Sequence, residues 1–354
     1  MMMLQIYEKF LIFNVFFYFS WEKMKIISYL CIQLIDRRMN KYLQWLCAIL
    51  LLCGTDIGYA QMKLVFTPQW TAQAQFVGFY VANSLGYYEN EGLDVVIKHP
   101  ASSKPSIDYL TEGESHFITL NLVTAMTMLD KGIKLVNVLQ MSQQNNLLIV
   151  SHTPLNGMES LRGKKVGCWK SGFSELPFAM DKKNGLGIEW IPFVSNINLY
   201  ISGAIDAALA MSYNELFQLK MAGQRIKKEQ LLYMRDIGYN VPEDGVYVTA
   251  DFFRRHPDLV AKFAKATRQG WEWAVANPEE ALDIVMVTMR QSGAIGNMIA
   301  QEWMQKEILS QLADKDTGKR SYRLEPKSLE LANRILMESG FIKKEITYHQ
   351  ITQL

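Results

Sequence analysis

The sequence predicts a two-lobed α/β protein in which each lobe is a mainly parallel β-sheet flanked by helices. The chain has 354 residues, which is too long for one hydrophobic core of average size. Its content of 49% hydrophobic and 20% charged residues is ordinary for a soluble globular protein. From Lys63 onward, short apolar runs alternate with stretches of helical apolar spacing, a pattern typical of parallel sheets covered by helices.

The predicted elements follow one another without an internal repeat, a low-complexity tract or a long linker. The apolar runs predict strands at residues 64–66, 93–97, 116–119, 135–141, 147–151, 165–168 and 207–210. Helical spacing predicts helices at residues 75–84, 123–129 and 257–276, with a further helix beginning at Pro278.

Two crossings between the lobes divide the predicted fold. We expect the first lobe at residues 61–150 and the second lobe at residues 151–246. A return crossing near Gly245 leads back to the first lobe and its C-terminal helices at residues 247–354.

The first sixty residues differ from the rest and predict an N-terminal extension with a signal peptide. Residues 39–41 form a short basic start and residues 43–53 an apolar run. Gly58 and Ala60 are then small residues at the −3 and −1 positions of a cleavage site. We therefore expect export to the periplasm and a mature chain that begins at Gln61.

Two alternatives for this segment are an N-terminal membrane anchor and lipidation of Cys53. Lipidation is disfavoured because Leu52 stands where lipoprotein signals resemble one another in having a small residue. An overlong gene start would explain the residues before Met39.

Charge and cysteine content restrict the partners and the chemistry. Without residues 1–60 the chain has 31 basic and 31 acidic residues, so nothing favours a nucleic acid or an anionic membrane as partner. Cys168 is the one cysteine left, which excludes an intramolecular disulfide.

Catalytic and metal-binding motifs are missing from the sequence. The five histidines are scattered without metal-ligand spacing, and no nucleophile-elbow, phosphate-loop or dinucleotide-binding glycine motif occurs. We predict no catalytic residue, no metal and no cofactor, and a protein that is not an enzyme.

Four segments carry a resemblance to a known family. Residues 66–82 read FTPQWTAQAQFVGFYVA, residues 86–95 read GYYENEGLDV, and residues 200–208 read YISGAIDAA. Residues 213–215, YNE, are similar to a Tyr-x-x-Glu segment of that family. In this combination the chain resembles the NMT1/THI5-like family over residues 63–281, with the thiamine-precursor, sulfonate, taurine and nitrate binding proteins.

The resemblance implies a type II periplasmic binding protein that serves an ABC transporter. Such a protein is expected to be a monomer that closes two lobes around a small planar ligand and delivers it to a membrane permease. The expected ligand is a thiamine pyrimidine precursor such as formylaminopyrimidine or hydroxymethylpyrimidine.

The first group of candidate ligand-binding residues lies in the first lobe. Trp70 follows a strand at the carboxyl edge of the sheet, where open α/β folds bind ligands, so its indole either stacks on a planar ring or packs in the core. Gln75 lies at the start of the next helix, near free N–H groups, and Phe79 of the same helix belongs to the predicted set. Asn121 follows another strand and is either a helix N-cap or a ligand contact.

The second group lies in the second lobe. Ser171, Gly172 and Phe173 form a loop that either approaches the ligand or is a simple turn into a helix. Tyr213 and Glu215 follow a buried strand. Glu215 either accepts two hydrogen bonds from an aminopyrimidine or occupies the first turn of a helix, where the helix dipole favours it.

Two rival functions remain open at this level. A sulfonate or nitrate binder would need cations at the cleft, and Lys104 and Lys170 are the obvious candidates. A thiamine-pyrimidine synthase resembles this fold but has a cysteine-rich motif and a histidine near the first loop. This chain has Gln75 at the position that aligns with that histidine.

Overall fold

The structure is a computed structural model that describes residues 62–101, 104–170, 173–193, 197–314 and 317–353. The predicted signal peptide and its cleavage site after Ala60 lie outside the described residues. No helix in the described part of the chain is both long and apolar enough to span a lipid bilayer.

The described strands form two five-stranded sheets, one in each lobe. In chain order they are β1 (Lys63–Thr67), β2 (Asp94–Ile97), β3 (Phe117–Asn121), β4 (Leu135–Gln140), β5 (Leu147–Ser151), β6 (Lys165–Trp169), β7 (Glu189–Phe193), β8 (Ala207–Met211), β9 (Leu231–Tyr233) and β10 (Asp244–Thr249). The first sheet has the order β2-β1-β3-β10-β4 and the second the order β7-β6-β8-β5-β9.

Each sheet is parallel except for one reversed strand. Strand β10 runs antiparallel to both β3 and β4, and strand β5 runs antiparallel to both β8 and β9. These two strands directly adjoin the crossings, since β5 enters the second lobe and β10 returns to the first. The prediction of two lobes with mainly parallel sheets is confirmed.

Helices cover both sheets, as predicted. In chain order they are α1 (Val77–Ser84), α2 (Tyr87–Asn90), α3 (Ser106–Thr111), α4 (Leu122–Asp130), α5 (Glu175–Asn184), α6 (Asn198–Ile201), α7 (Glu215–Met221), α8 (Ala250–Arg255), α9 (Pro257–Ala276), α10 (Pro278–Gln291), α11 (Met298–Ser310), α12 (Pro326–Glu338) and α13 (Tyr348–Thr352). A 3-10 turn, Ala74–Phe76, precedes α1, so the predicted helix at residues 75–84 is α-helical only from Val77.

The structure adds three strands that the sequence pattern did not predict, namely β7, β9 and β10, and β10 forms where only a return crossing was expected. Strand β7 contains Pro192 and exposes both Glu189 and Pro192, so it lacks an apolar run. Strand β9 has three residues and is too short for a periodic signal. The lobe boundaries also differ, because residues 147–150 pair within the second sheet and residues 244–246 pair within the first.

Two glycines bring α1 and α9 into close contact in the core of the first lobe. A Cβ atom on Gly78 would lie 2.2 Å from the Trp271 ring, and one on Gly270 would lie 2.1 Å from the carbonyl oxygen of Gly78. Both helices can therefore approach only without side chains at these positions. The glycine of the GFYVA motif thus has a packing role.

The two crossing segments are joined to each other by polar side chains. The Asn145 backbone N–H donates to Asn240 Oδ1 (2.9 Å), and its side-chain amide donates to the Val241 carbonyl (2.9 Å). The Glu243 backbone N–H donates to Ser142 Oγ (2.8 Å). The lobes are therefore connected by a pair of segments whose polar groups satisfy one another, an arrangement suited to a hinge.

Candidate functional site

The candidate site lies between the lobes, where the carboxyl edges of the two sheets meet. Asn121 ends β3 in the first lobe and Met211 ends β8 in the second. The reversed strands begin at the same edges, since Asp244 pairs with Asn121 and Leu147 pairs with Met211. Both sheets therefore direct strand ends toward one region, where open α/β folds bind ligands.

A cavity of about 20 Å³ occupies this region. Its lining comes from both lobes and from the crossing segments: Asn121, Val123, Asn145, Leu147, Phe173, Leu176, Met211, Val241, Pro242 and Glu243. Such a volume holds about one water molecule, whereas ligand pockets usually enclose roughly 300 Å³ or more. A ring-sized ligand can enter only if the lobes move apart.

Asn121 lines this cavity and carries a buried hydrogen-bond acceptor without a partner. It occupies the N-cap position of α4, but its side chain makes no capping hydrogen bond. The side chain is 7% exposed, and its Oδ1 atom is buried without a hydrogen-bond partner. The N-cap position that was one of the two predicted alternatives is thus occupied without a side-chain capping bond, and a buried acceptor remains that a donor would stabilise.

Glu243 supplies a carboxylate to the same cavity. It is 4% exposed, and its Oε1 accepts a hydrogen bond from the backbone N–H of Asn146 (2.7 Å). Burial, reinforced by the neighbouring Asp244 carboxylate, raises the pKa of Glu243 from 4.5 to about 8. A ligand that donates hydrogen bonds or carries positive charge would lower this pKa again by stabilising the ionised form.

Asp244 is buried beside Glu243 but is fully engaged by the first lobe. Gln75 Nε2 donates to Asp244 Oδ2 (2.8 Å), and Gln69 Nε2 donates to Oδ1. Gln73 Nε2 in turn donates to Gln75 Oε1 (2.7 Å). Burial raises the pKa of Asp244 from 3.8 to about 6, although the hydrogen bonds from Gln75 and Gln69 oppose the rise. Gln75 is thus close to the site and holds a carboxylate at its edge.

Trp70 and Phe173 form an aromatic contact across the lobes. Their ring centroids are 5.9 Å apart, and Phe173 also contacts Trp169 at 5.8 Å. Phe173 lines the cavity, whereas Trp70 does not line it and contacts Phe173 from the first lobe. Phe173 has a backbone φ of 62°, an uncommon value for a residue other than glycine.

His99 positions the loop that carries Trp70. His99 Nδ1 lies 2.7 Å from the Trp70 carbonyl, and His99 Nε2 lies 2.9 Å from the Tyr80 hydroxyl. A carbonyl can only accept, so Nδ1 carries the proton and the Tyr80 hydroxyl donates to Nε2. Burial lowers the pKa of His99 below 6.5 and so favours this neutral form.

Glu215 is placed in the first turn of α7, with both carboxylate oxygens bound inside the second lobe. Its Oε2 accepts from the Met211 backbone N–H (2.9 Å) and its Oε1 from Asn214 Nδ2 (2.8 Å). Burial raises the pKa of Glu215 from 4.5 to about 7.

Tyr213 is also buried, and its burial together with the charges of Glu243, Asp244 and Glu215 raises its pKa well above 10.0. Neither Glu215 nor Tyr213 lines the cavity.

Phe79, which was also predicted to bind the ligand, does not line the cavity. Phe79 is fully buried in the first lobe, where its ring packs on Phe66 (4.4 Å between centroids) and Trp271 (5.7 Å). Its large apolar ring completes the core between α1 and α9 and leaves no face toward the cleft. Ser171 and Gly172 lie outside the described residues.

Sequence reasoning missed the carboxylates Glu243 and Asp244. Two adjacent acidic residues directly before an apolar strand at the return crossing are the signal that identifies them. Gln69 was also missed, although it stands next to Trp70 in the motif. The burial of Glu243 and Asp244 follows from the position of β10 between two other strands of the first sheet, which the sequence pattern does not reveal.

A second cavity of about 260 Å³ lies within the first lobe, at the opposite edge of its sheet. Its lining includes His116, Phe252, Arg255 and His256. It is larger than the interlobe cavity, but the second lobe contributes none of its described lining residues. No group of three His, Cys, Asp or Glu residues in the described ranges could hold a metal ion.

Relatives of this chain include binding proteins and enzymes. A riboflavin-binding protein of Chloroflexus aurantiacus is 24% identical over 260 residues, which cover 70% of this chain and 72% of the relative. A formylaminopyrimidine-binding protein of Halalkalibacterium halodurans is 24% identical over 259 residues, covering 70% of this chain and 75% of the relative. A 4-amino-5-hydroxymethyl-2-methylpyrimidine phosphate synthase of Saccharomyces cerevisiae is 21% identical and covers 62% of this chain and 69% of the synthase.

Solved structures share the two-lobed fold. The periplasmic aliphatic sulphonate binding protein of Escherichia coli matches with a TM-score of 0.57 at 14% identity, covering 83% of this chain and 98% of that protein. At this identity the likeness establishes the fold, which is that of periplasmic binding proteins. Residues 73–281, more than half of the chain, match the family described as NMT1/THI5 like. The chain therefore belongs to the NMT1/THI5-like family.

Proposed function

We propose that this protein is an exported, non-enzymatic solute-binding protein of an ABC importer, and that its ligand is an aminopyrimidine precursor of thiamine. The observation that carries the proposal is a small set of polar groups in a lining that is otherwise mainly apolar. Asn121 Oδ1 is a buried acceptor without a donor, and the Glu243 carboxylate lies in the same wall. An exocyclic amine next to a ring N–H would supply the missing donors.

The aromatic residues fit the same ligand class. Phe173 lines the cavity and Trp70 supports it from the other lobe. Aromatic faces stack well on a planar heterocycle and contribute apolar burial without charge. Formylaminopyrimidine and hydroxymethylpyrimidine combine one planar ring with an amine. The relatives named for formylaminopyrimidine and for riboflavin both bind planar nitrogen heterocycles, which supports this class.

Anionic ligands fit the site poorly. Among its described lining residues the cavity has no Lys, Arg or His that could pair with a sulfonate or nitrate. Lys104, one of the two cations considered for an anion site, is bound by Glu112 (2.6 Å) and Glu114 (2.7 Å). The sulfonate alternative therefore ranks below the aminopyrimidine.

A ligand panel tests the proposal. The purified full-length chain is titrated by calorimetry and thermal shift with formylaminopyrimidine, hydroxymethylpyrimidine, riboflavin, thiamine, taurine and nitrate. We expect an aminopyrimidine to bind most tightly, with about 2.7 kcal/mol of stabilisation at 100 times Kd. Tighter binding of taurine or nitrate than of every pyrimidine would overturn the ligand assignment. Conversion of a pyrimidine precursor, with or without pyridoxal phosphate and iron, would instead support the synthase alternative.

A further inference from the structure

Helix α11 of the C-terminal segment contacts the 3-10 turn Ala74–Phe76 of the first lobe. Gln301 is buried in α11, and its Oε1 accepts a hydrogen bond from the backbone N–H of Ala74 (2.7 Å). Ala74 begins the turn that carries Gln75, whose side chain holds Asp244. One face of α11 is therefore fixed to the first-lobe wall of the site.

The same helix binds the second lobe at the end of strand β8. The Trp303 indole N–H donates to the Ser212 carbonyl (3.1 Å), and the Ser212 hydroxyl donates to Glu307 Oε2 (2.8 Å). Ser212 directly follows Met211, which lines the cavity. Two side chains of α11 thus bind one residue at the second-lobe wall of the site.

The Trp303 ring also packs against helix α7 of the second lobe. Its centroid lies 5.3 Å from that of Phe217, with 22° between the ring planes. The Lys220 ammonium lies 4.6 Å from the Trp303 centroid, a cation–π distance. The indole therefore combines a hydrogen bond, a stacked ring and a cation, all of them supplied by the second lobe.

We propose that α11 is a clasp for the closed form and that Trp303 is the positioning residue through which it holds the second lobe. If the lobes rotate apart about the crossing segments, the Ser212, Phe217 and Lys220 contacts of Trp303 separate while the Gln301 contact stays within the first lobe. The contacts of the clasp then stabilise the closed form relative to the open form, although none of them touches the ligand. This inference rests on the proposed solute-binding function for its effect on affinity, but its effect on closure is independent of any ligand.

Trp190 offers a matched control within the second lobe. It is half-buried like Trp303, its indole donates to Asp181 Oδ2 (2.9 Å), and its ring contacts Phe178 at 4.8 Å. Trp190→Phe therefore removes the same type of hydrogen bond and keeps a ring, but it breaks no contact between lobes.

The experiment compares full-length wild type, Trp303→Phe, Trp303→Ala and Trp190→Phe by X-ray scattering without ligand and by ligand dissociation kinetics with formylaminopyrimidine. We expect a larger radius of gyration and about tenfold faster dissociation for the Trp303 variants, and no change for Trp190→Phe. Should Trp303→Ala fail to fold, Trp303→Phe and Glu307→Gln give the same readouts. An unchanged radius of gyration in all the folded Trp303 and Glu307 variants refutes the clasp. If formylaminopyrimidine does not bind, only the ligand assignment fails, since scattering alone still supports or refutes the clasp.

Discussion

The rings of Trp70 and Phe173 meet edge to face across the two lobes, with 5.9 Å between centroids and 79° between ring planes. The two residues are far apart in sequence, and each lies in a loop after a strand of its own sheet. Since Phe173 lines the cavity, a planar ligand that enters between the lobes must either displace this contact or stack against it.

Replacement of Trp70 tests this aromatic wall. Trp70→Ala should weaken binding of the best ligand by roughly 1 to 3 kcal/mol, because it removes the ring that contacts Phe173 in the cavity wall and the area buried there. Calorimetric titration measures the affinity, and thermal unfolding of the same variant measures stability. Unchanged affinity with a large loss of stability would show that the indole is a core residue.

Two buried glutamates are expected to respond differently to amide substitution. Glu243→Gln should weaken an aminopyrimidine more than tenfold, since it turns an acceptor in the cavity wall into a donor that faces the ligand's donors. Glu215→Gln should mainly lower the free energy of unfolding, because its two oxygens are bound by Met211 and Asn214. Calorimetry and chemical denaturation of both variants separate these effects. A loss of affinity in Glu215→Gln, together with a loss of stability alone in Glu243→Gln, would instead identify Glu215 as the residue that contacts the ligand.

The raised pKa of Glu243 predicts a pH dependence of both stability and binding. The unfolded chain loses this proton near pH 4.5, whereas the folded chain keeps it until about pH 8. The protonated carboxyl therefore contributes its full stability below pH 4.5, and that contribution is lost as pH rises to about 8. We therefore expect the free energy of unfolding of the wild type, relative to that of Glu243→Gln, to fall steadily as pH rises from 4.5 to 8. Denaturation of both proteins across this range measures the difference.

Binding should have the opposite trend in the same pH range. A ligand that donates to ionised Glu243 should bind more tightly as pH rises toward 8 and should release a proton when it binds at lower pH. Calorimetry in buffers of different ionisation enthalpy measures that proton release. Equal heats in all buffers at pH 6 to 7 would contradict an ionised Glu243 in the complex.

Close packing between α1 and α9 predicts a strong effect of one added methyl group. Gly78→Ala places a Cβ about where the Trp271 ring now lies, so it should destabilise the first lobe by roughly 1 to 3 kcal/mol or more. A second substitution, Trp271→Leu, makes room for that methyl group. The double variant should therefore be more stable than the sum of the two single effects, as measured by urea unfolding. Strict additivity would mean that the two positions do not interact.

The sequence was sufficient for the two-lobed fold. Strand ends also predicted Asn121 and Phe173, which line the cavity, and Trp70, which contacts Phe173, because residues after parallel strands lie at one edge of a sheet. Glu243 and Asp244 were not predicted, because their burial depends on the reversed strand β10 between β3 and β4. The direction of a strand leaves no local pattern in the sequence. Phe79 was assigned to the ligand although its ring lies in the core, since helical spacing alone does not show which neighbour an aromatic residue meets.

The position of β10 between β3 and β4 in the first sheet has a consequence for biogenesis. Strands β5 to β9 all come from residues 147–233, so the second lobe can complete its sheet as soon as that stretch has been synthesised. The first sheet stays split between β3 and β4 until residues 244–249 emerge, and the nascent chain meanwhile exposes two open strand edges. Pairing over such sequence separations is slow, so we expect the first lobe to fold last and its intermediate to be the species that a chaperone must protect from aggregation.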